Sequence, residues 1–390
     1  MIDRRRFLQG SLAAGVAAAC SSNNHGSPVA TRPAPPVAPE RSAPKTILIL
    51  GGTGFLGPHV VDAARARGHT ITLFNRGKTK PGLFPDVEKL QGDRDGKLEA
   101  LANRTWDAVV DTSGYVPRIV KMSAELLAPN IKQYLFISTI SVYKDHSKVG
   151  ADETAPLNTI DDPTNEEVKV NYGALKALSE QAAEAAMPGR VANVRPGLIV
   201  GPGDPTGRYS HWVSRMADGG EVLCPGNGST PTQYIDGRDL AAWLVKMIED
   251  NTTGVFNALG PAERLTMKAA LDGTNEGAGR KAKLVWVDAA FLDKHSVSGW
   301  SEMPMWIDNT GEMAGFGTMS NARAVKAGLA FRPIRDTSRD TLAWFATITD
   351  EAERTTLRSS GIAPDKEAKI LAAWKANFRT TSQGKRSFAT

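Results

Sequence analysis

The sequence predicts an α/β protein: a doubly wound parallel sheet with a smaller C-terminal lobe for a substrate. Three observations carry this. From Lys45 onward, short apolar runs alternate with stretches whose apolar residues recur at helical spacing. The first run, Lys45-Thr46-Ile47-Leu48-Ile49-Leu50, passes directly into Gly51-Gly52-Thr53-Gly54-Phe55-Leu56-Gly57, three glycines spaced G-x-x-G-x-x-G. Further on, Tyr172 and Lys176 stand four apart at the opening of a helix, downstream of a strand that ends Ser138-Thr139.

The elements follow in order. Lys45–Leu50 reads as a fully buried strand and His59–Ala66 as a helix, so the glycines fall in the turn between them. Glycine permits the tight turn and a close backbone approach, and a helix N-terminus offers unpaired N–H groups to phosphates. Gly51, Thr53, Gly54, Phe55, Leu56 and Gly57 are therefore candidates to hold a dinucleotide. Thr70–Phe74 is the second strand, ending Asn75-Arg76-Gly77-Lys78. An acidic residue there suits the ribose 2′-hydroxyl of NAD, and a cation suits the 2′-phosphate of NADP. Asn75, Arg76 and Lys78 favour NADP, with NAD still open; a solvated basic loop is the plain alternative.

Val87–Leu90 gives a third strand, followed by Gly92-Asp93-Arg94-Asp95 and a helix from Leu98. Trp106–Asp111 is the fourth strand, ending Thr112-Ser113-Gly114-Tyr115, and a helix covers roughly Val116–Leu127. Tyr134–Ser138 is the fifth strand. Ser113 and Ser138, at strand ends, belong with the candidate cofactor contacts. Tyr172 and Lys176 project from one helix face, about 5–6 Å apart at Cβ. An exposed Tyr and Lys on a surface helix is the competing reading.

The chain has 390 residues, 41% hydrophobic and 23% charged, with a net charge of +5. Its cations are scattered, which argues against a nucleic-acid groove. The six histidines show no metal-ligand spacing, and no Gly-x-Ser-x-Gly elbow marks a hydrolase. The two cysteines are Cys20 and Cys224.

Residues 1–20 read differently. Arg4-Arg5-Arg6-Phe7-Leu8, a short small-residue apolar stretch and Ala17-Ala18-Ala19 before Cys20 resemble a twin-arginine export leader. The expected location is extracytoplasmic or periplasmic, with the export machinery as a partner. The apolar stretch is far below the ~20 residues of a membrane span. Ala17 makes a poor lipidation signal at Cys20, so a lipid anchor is not favoured. Residues 21–44, rich in Ser, Asn, Pro and Ala, are expected to be a disordered linker.

Taken in order, Gly51–Gly57, Gly92-Asp93, Ser138-Thr139-Ile140-Ser141-Val142-Tyr143, Tyr172–Lys176, Arg195-Pro196-Gly197, Gly201-Pro202-Gly203 and Gln233–Leu240 resemble the extended or atypical short-chain dehydrogenase/reductases, the NAD-dependent epimerase/dehydratase group. The resemblance covers residues 45 to about 345 and implies a Rossmann sheet. It implies Thr139, Tyr172 and Lys176 as catalytic residues: Tyr172 as proton donor or acceptor, Thr139 sharing the substrate proton, Lys176 holding the nicotinamide ribose and favouring phenolate. It also implies adenine contact by Asp93. Ile140-Ser141 replaces the Asp-Glu pair of the sugar-nucleotide dehydratases, which argues against dehydration. The expected substrate is a small, sugar-like alcohol or ketone. Part of the chain also resembles the plastid stem-loop-RNA-binding members, so a non-catalytic binding role is the alternative.

The expected domains are 45–200 for the dinucleotide, returning at 232–260, with 201–231 and 261–335 as the substrate lobe. Residues 336–390 would supply C-terminal helices. Arg208, His211, Trp212, Trp300 and Trp306 fall in the lobe, where core packing competes with a role in stacking on a sugar.

Overall fold

Within β1 (Thr46–Leu50), Ile47 and Ile49 pack into one apolar layer and Leu48 and Leu50 into another, all fully buried. A strand buried on both faces belongs inside a parallel sheet covered by helices. The computed structural model, which describes residues 43–386, has that architecture. The leader, Cys20 and nearly all of the expected linker lie outside the described residues.

After β1 come α1 (Leu56–Ala66), β2 (Thr70–Asn75), β3 (Glu88–Gln91), β4 (Trp106–Asp111), α2 (Pro117–Leu127), β5 (Ile131–Ile137), α3 (Val168–Ala186) and β6 (Val191–Pro196). A short β7 (Ile199–Val200) leads to α4 (Arg208–Asp218) and β8 (Gly220–Pro225). The chain then returns through β9 (Ile235–Asp236), α5 (Gly237–Glu249) and β10 (Gly254–Ala258). The remaining elements are α6 (Met267–Gly277), β11 (Ala282–Val287), α7 (Ala289–Lys294), α8 (Ala322–Lys326), α9 (Ile334–Ala346), α10 (Glu351–Arg358) and α11 (Pro364–Arg386).

The main sheet has seven strands in the order β10-β6-β5-β4-β1-β2-β3, and every pairing is parallel. Chain order reverses between β1 and β4, which opens a crevice at their carboxyl ends. Val60 and Val61 of α1 with Leu240 and Leu244 of α5 fill one face; Val120 and Ala124 of α2 with Ala183 of α3 fill the other.

A further apolar core gathers Trp212 and Met216 of α4, Leu223 of β8, Leu271 of α6, Val287 of β11 and Leu371 of α11. β8 and β11 pair in parallel beside it. Among the described residues no helix is long and apolar enough to cross a membrane.

One expected element is corrected. The helix from Leu98 is only a 3-10 turn, Glu99–Leu101. Leu101 is buried, but Asn103 turns the backbone left-handed at φ 58° and β4 starts at Trp106, leaving no room for a second helical turn.

Candidate functional site

The crevice is a cleft of about 1020 Å³. Its floor is the turn between β1 and α1. Gly51 and Gly52 hold φ of 105° and 89°, a region that side chains disfavour. A Cβ on Gly57 would lie 2.4 Å from the Gly52 Cα, so the first turn of α1 and the β1 turn touch backbone to backbone. Gly54 has nothing within 4 Å of a Cβ position and is exposed in the cleft wall. No side chain caps α1 at Phe55, and its first turn carries no acid. Its leading N–H groups and positive dipole end are therefore available to an anion.

Every candidate cofactor residue reaches this cleft. Gly51, Thr53, Gly54, Phe55, Leu56 and Gly57 form the floor, Asn75, Arg76 and Asp93 one end, and Ser113, Ser138, Thr139, Tyr172 and Lys176 the other. Asn75 is committed to the fold: its amide donates to the Gly51 carbonyl at 3.1 Å and its Oδ1 accepts from the Gly77 N–H at 2.9 Å. The exposed Arg76 and Lys78 remain as the cations at that end.

Lys176 is buried, and its Nζ donates to the Gly114 and Ile137 carbonyls, both at 2.6 Å. These carbonyls follow β4 and end β5, so α3 is pinned across two strand ends. The ammonium also sits 4.1 Å from the centre of the Phe136 ring. Burial pulls its pKa from 10.5 down to about 7, against the opposing pull of Asp111 and Glu180.

Tyr172 lies at the kink of α3, one residue after Asn171 leaves helical geometry (φ −108°, ψ 21°). Burial pushes its phenol above the ordinary tyrosine value. The Thr139 side chain and the Arg208 charge act in the opposite direction, and the neighbouring Tyr115 acts upward. Lys176 was expected to favour the phenolate, but its Nζ is turned to two carbonyls and the cation acting on Tyr172 is Arg208. Thr139 is 8% exposed, and its Oγ1 accepts from the Ser141 N–H at 3.1 Å. The Ser138 hydroxyl is buried with no protein partner.

The opposite wall comes from the C-terminal part of the chain. Arg208, at the start of α4, and Trp300 both line the cleft, with the guanidinium 5.3 Å from the ring centre. Trp300 holds a left-handed backbone at φ 61°, rare for so bulky a residue. Its N–H donates to the Trp306 carbonyl at 2.8 Å, and its ring meets Phe316 edge-on at 5.6 Å. Of the other lobe candidates, Trp212 and Trp306 are core residues whose indole nitrogens donate to the Pro304 carbonyl at 2.8 Å and Thr230 Oγ1 at 3.4 Å. His211 is also buried, with Nδ1 3.1 Å from the Arg358 carbonyl oxygen. After β5, the His146 carbonyl accepts from the Gly315 N–H at 2.7 Å and the imidazole meets the cleft residue Phe316 at 5.2 Å.

Tyr115 and Asp204 are among the cleft residues missed as site candidates. Tyr115, 47% exposed, stands 6.4 Å from Tyr172 ring to ring. Its place directly after a β4 that ends at the crevice was the available signal. Asp204 is fully buried and lines the cleft, with Oδ1 held by the Thr206 hydroxyl at 2.7 Å and Oδ2 unpartnered. Among the described residues, no group of three His, Cys, Asp or Glu is placed to hold a metal.

The chain is 30% identical over 249 residues to the 2-alkyl-3-oxoalkanoate reductase of Stenotrophomonas maltophilia, spanning 57% of this chain and 68% of that one. It is 28% identical to the chloroplast stem-loop binding protein of 41 kDa b of Arabidopsis thaliana, over 56% of this chain and 60% of that one. The fold superposes on the human epimerase family protein SDR39U1, solved with NADPH, at a TM-score of 0.52 and 19% identity, covering 76% of this chain and 99% of that one. Residues 47–258, which carry the sheet from β1 to β10 and the cleft lining as far as Arg208, match a single family description. On that match, the chain belongs to the NAD dependent epimerase/dehydratase family.

Proposed function

We propose that this chain is a nicotinamide-dependent oxidoreductase or epimerase that acts on a hydroxyl or ketone of a small molecule. One observation carries the reading: Thr139 and Tyr172 share a single cleft with the uncapped glycine turn.

The residues fit a dinucleotide. The Gly51–Gly57 backbone and the open end of α1 suit its phosphates, and Lys176 in its ammonium form has a third proton left for a ribose hydroxyl after serving two carbonyls. Arg76 and Lys78 suit a 2′-phosphate, so NADP is preferred to NAD. When bound, the nicotinamide supplies hydride exchange at the substrate carbon.

The protein's own share is proton handling and orientation. Thr139 hydrogen-bonds the reacting oxygen and Tyr172 exchanges the proton. With its pKa raised by burial, Tyr172 is protonated at neutral pH and set to donate to a carbonyl oxygen. That protonation state favours ketone reduction, in keeping with the Stenotrophomonas relative's name. A sugar-like ring is a suitable partner for the aromatic wall at Trp300. The leader adds a location: a twin-arginine substrate crosses folded, with its cofactor loaded beforehand.

The test is to purify the protein from an exporting host, identify the nucleotide it carries, and screen carbonyl compounds and sugars for hydride transfer. Bound NADP(H) with turnover is expected. An empty, low-affinity site, or salt-sensitive RNA binding without any hydride transfer, overturns the proposal.

A further inference from the structure

Arg208 is unlike the other cations of the cleft. Its Nε donates to Thr206 Oγ1 at 3.1 Å, and its plane is held against Trp300. Among the described residues no carboxylate forms an ion pair with it, and its two terminal amino groups have no protein hydrogen-bond partner. Lys176 and Arg94 offer no such capacity: the first serves two carbonyls, and the second forms a buried two-point pair with Asp111 at 2.6 and 2.7 Å.

A half-buried guanidinium with a free fork and a fixed plane is suited to two-point recognition of a planar anion. The backing ring is itself fixed, by the Trp306 carbonyl and by Phe316. Asp204 is the acidic group closest in effect, and it lies beyond ion-pair distance with one oxygen tied to Thr206. Burial pushes its pKa up, while the Thr206 contacts and the Arg208 charge pull it down. Arg208 lines the cleft together with Thr139, Tyr172 and Trp300, and Tyr172 is the other group that feels its charge.

We propose that Arg208, backed by Trp300, is an anion subsite of the substrate cleft, and that the substrate carries a carboxylate or phosphate group beside its reacting carbonyl. This rests on the reading of the cleft as a hydride-transfer site and narrows its substrate to anionic hydroxy or oxo compounds. It is a binding role; the proton chemistry stays with Tyr172.

The test uses unreactive probes on the full protein saturated with NADP+, so that the phosphate cradle is filled. Calorimetry is run with malonate, inorganic phosphate and the uncharged dimethyl malonate, on wild type, Arg208→Gln and Arg208→Lys. Saturable binding of malonate or phosphate, weakened at least tenfold in Arg208→Gln and less in Arg208→Lys, supports the subsite, and the tighter anion names its chemistry. Equal binding of the diester, no anion binding, or anion binding unchanged in Arg208→Gln overturns it. NADP+ affinity, measured in the same samples, is expected to be unchanged and controls for folding; if both variants lose anion and cofactor together, the proposal also falls. Failure of the hydride-transfer reading shows separately, as no NADP+ binding to wild type or no ketone reduction while the anion arm is intact.

Discussion

At the scale of single residues, the proposed mechanism separates proton transfer, at Tyr172, from its electrostatic support, at Arg208. Tyr172→Phe keeps the ring and removes the proton, so turnover should fall by at least a hundredfold with NADP+ affinity unchanged. Steady-state kinetics with a parallel binding titration checks this, and unchanged turnover removes Tyr172 from the mechanism. Lys176 gives a pH dependence with a definite sign. Its folded pKa of about 7 lies below the ordinary 10.5, so between these values the unfolded chain binds the extra proton. Stability of the cofactor-free protein should therefore rise with pH across that window, and below about 7 the buried ammonium costs stability at every pH. Melting temperatures from pH 6 to 10 should show a slope that flattens in Lys176→Met; identical slopes would contradict the assignment. Tyr172, Lys176 and Thr139 were legible because their spacing belongs to one helix and one strand end. Arg208 and Trp300 were seen only as lobe residues, since their meeting depends on packing between segments 92 positions apart in sequence.

At the scale of elements, the β1–α1 turn is the tightest part of the site. A Cβ at position 57 would meet Gly52 backbone at 2.4 Å, and neither side is a flexible side chain. Gly57→Ala should cost about 1–3 kcal/mol by overpacking and weaken NADP+ binding at least tenfold, read by denaturant unfolding and titration. Gly54→Ala meets nothing within 4 Å and should leave folding stability within error of wild type. The strands of the sheet could be read from sequence because each is a short apolar run closed by turn residues; β1 and β4 are clear cases. The connection between β3 and β4 could not, because Leu98 and Leu101 imitate a helical repeat while the left-handed Asn103 and the nearness of Trp106 end it within one turn. The kink at Asn171 was not read from the sequence; it lies two residues before Gly173, whose backbone packs so closely on the Ser141 carbonyl that a Cβ there would lie 2.1 Å from it.

At the scale of the whole molecule, the proposed location outside the cytoplasm ties the cleft to the leader. Replacing Arg4, Arg5 and Arg6 by lysine should keep the protein in the cytoplasm with its cofactor still bound, as fractionation and nucleotide analysis would show. Continued export would refute the twin-arginine assignment. The strand-helix alternation of the main sheet as far as β6, and the return of the chain to it at β10, were legible in outline. The composition of the second core, built from α4, β8, α6, β11 and α11, was not, since it draws on segments from Leu198 to Leu371. The same interleaving fixes when the site can exist. Its floor is made from Gly51 onward, while its far wall needs Arg208, Trp300 and Phe316. A ribosome has to finish more than three quarters of the chain before those surfaces face each other. Completion of the substrate side of the cleft is therefore an event of the released or nearly released polypeptide, and the proposed N-terminal export signal, made first, would wait on a wall made last.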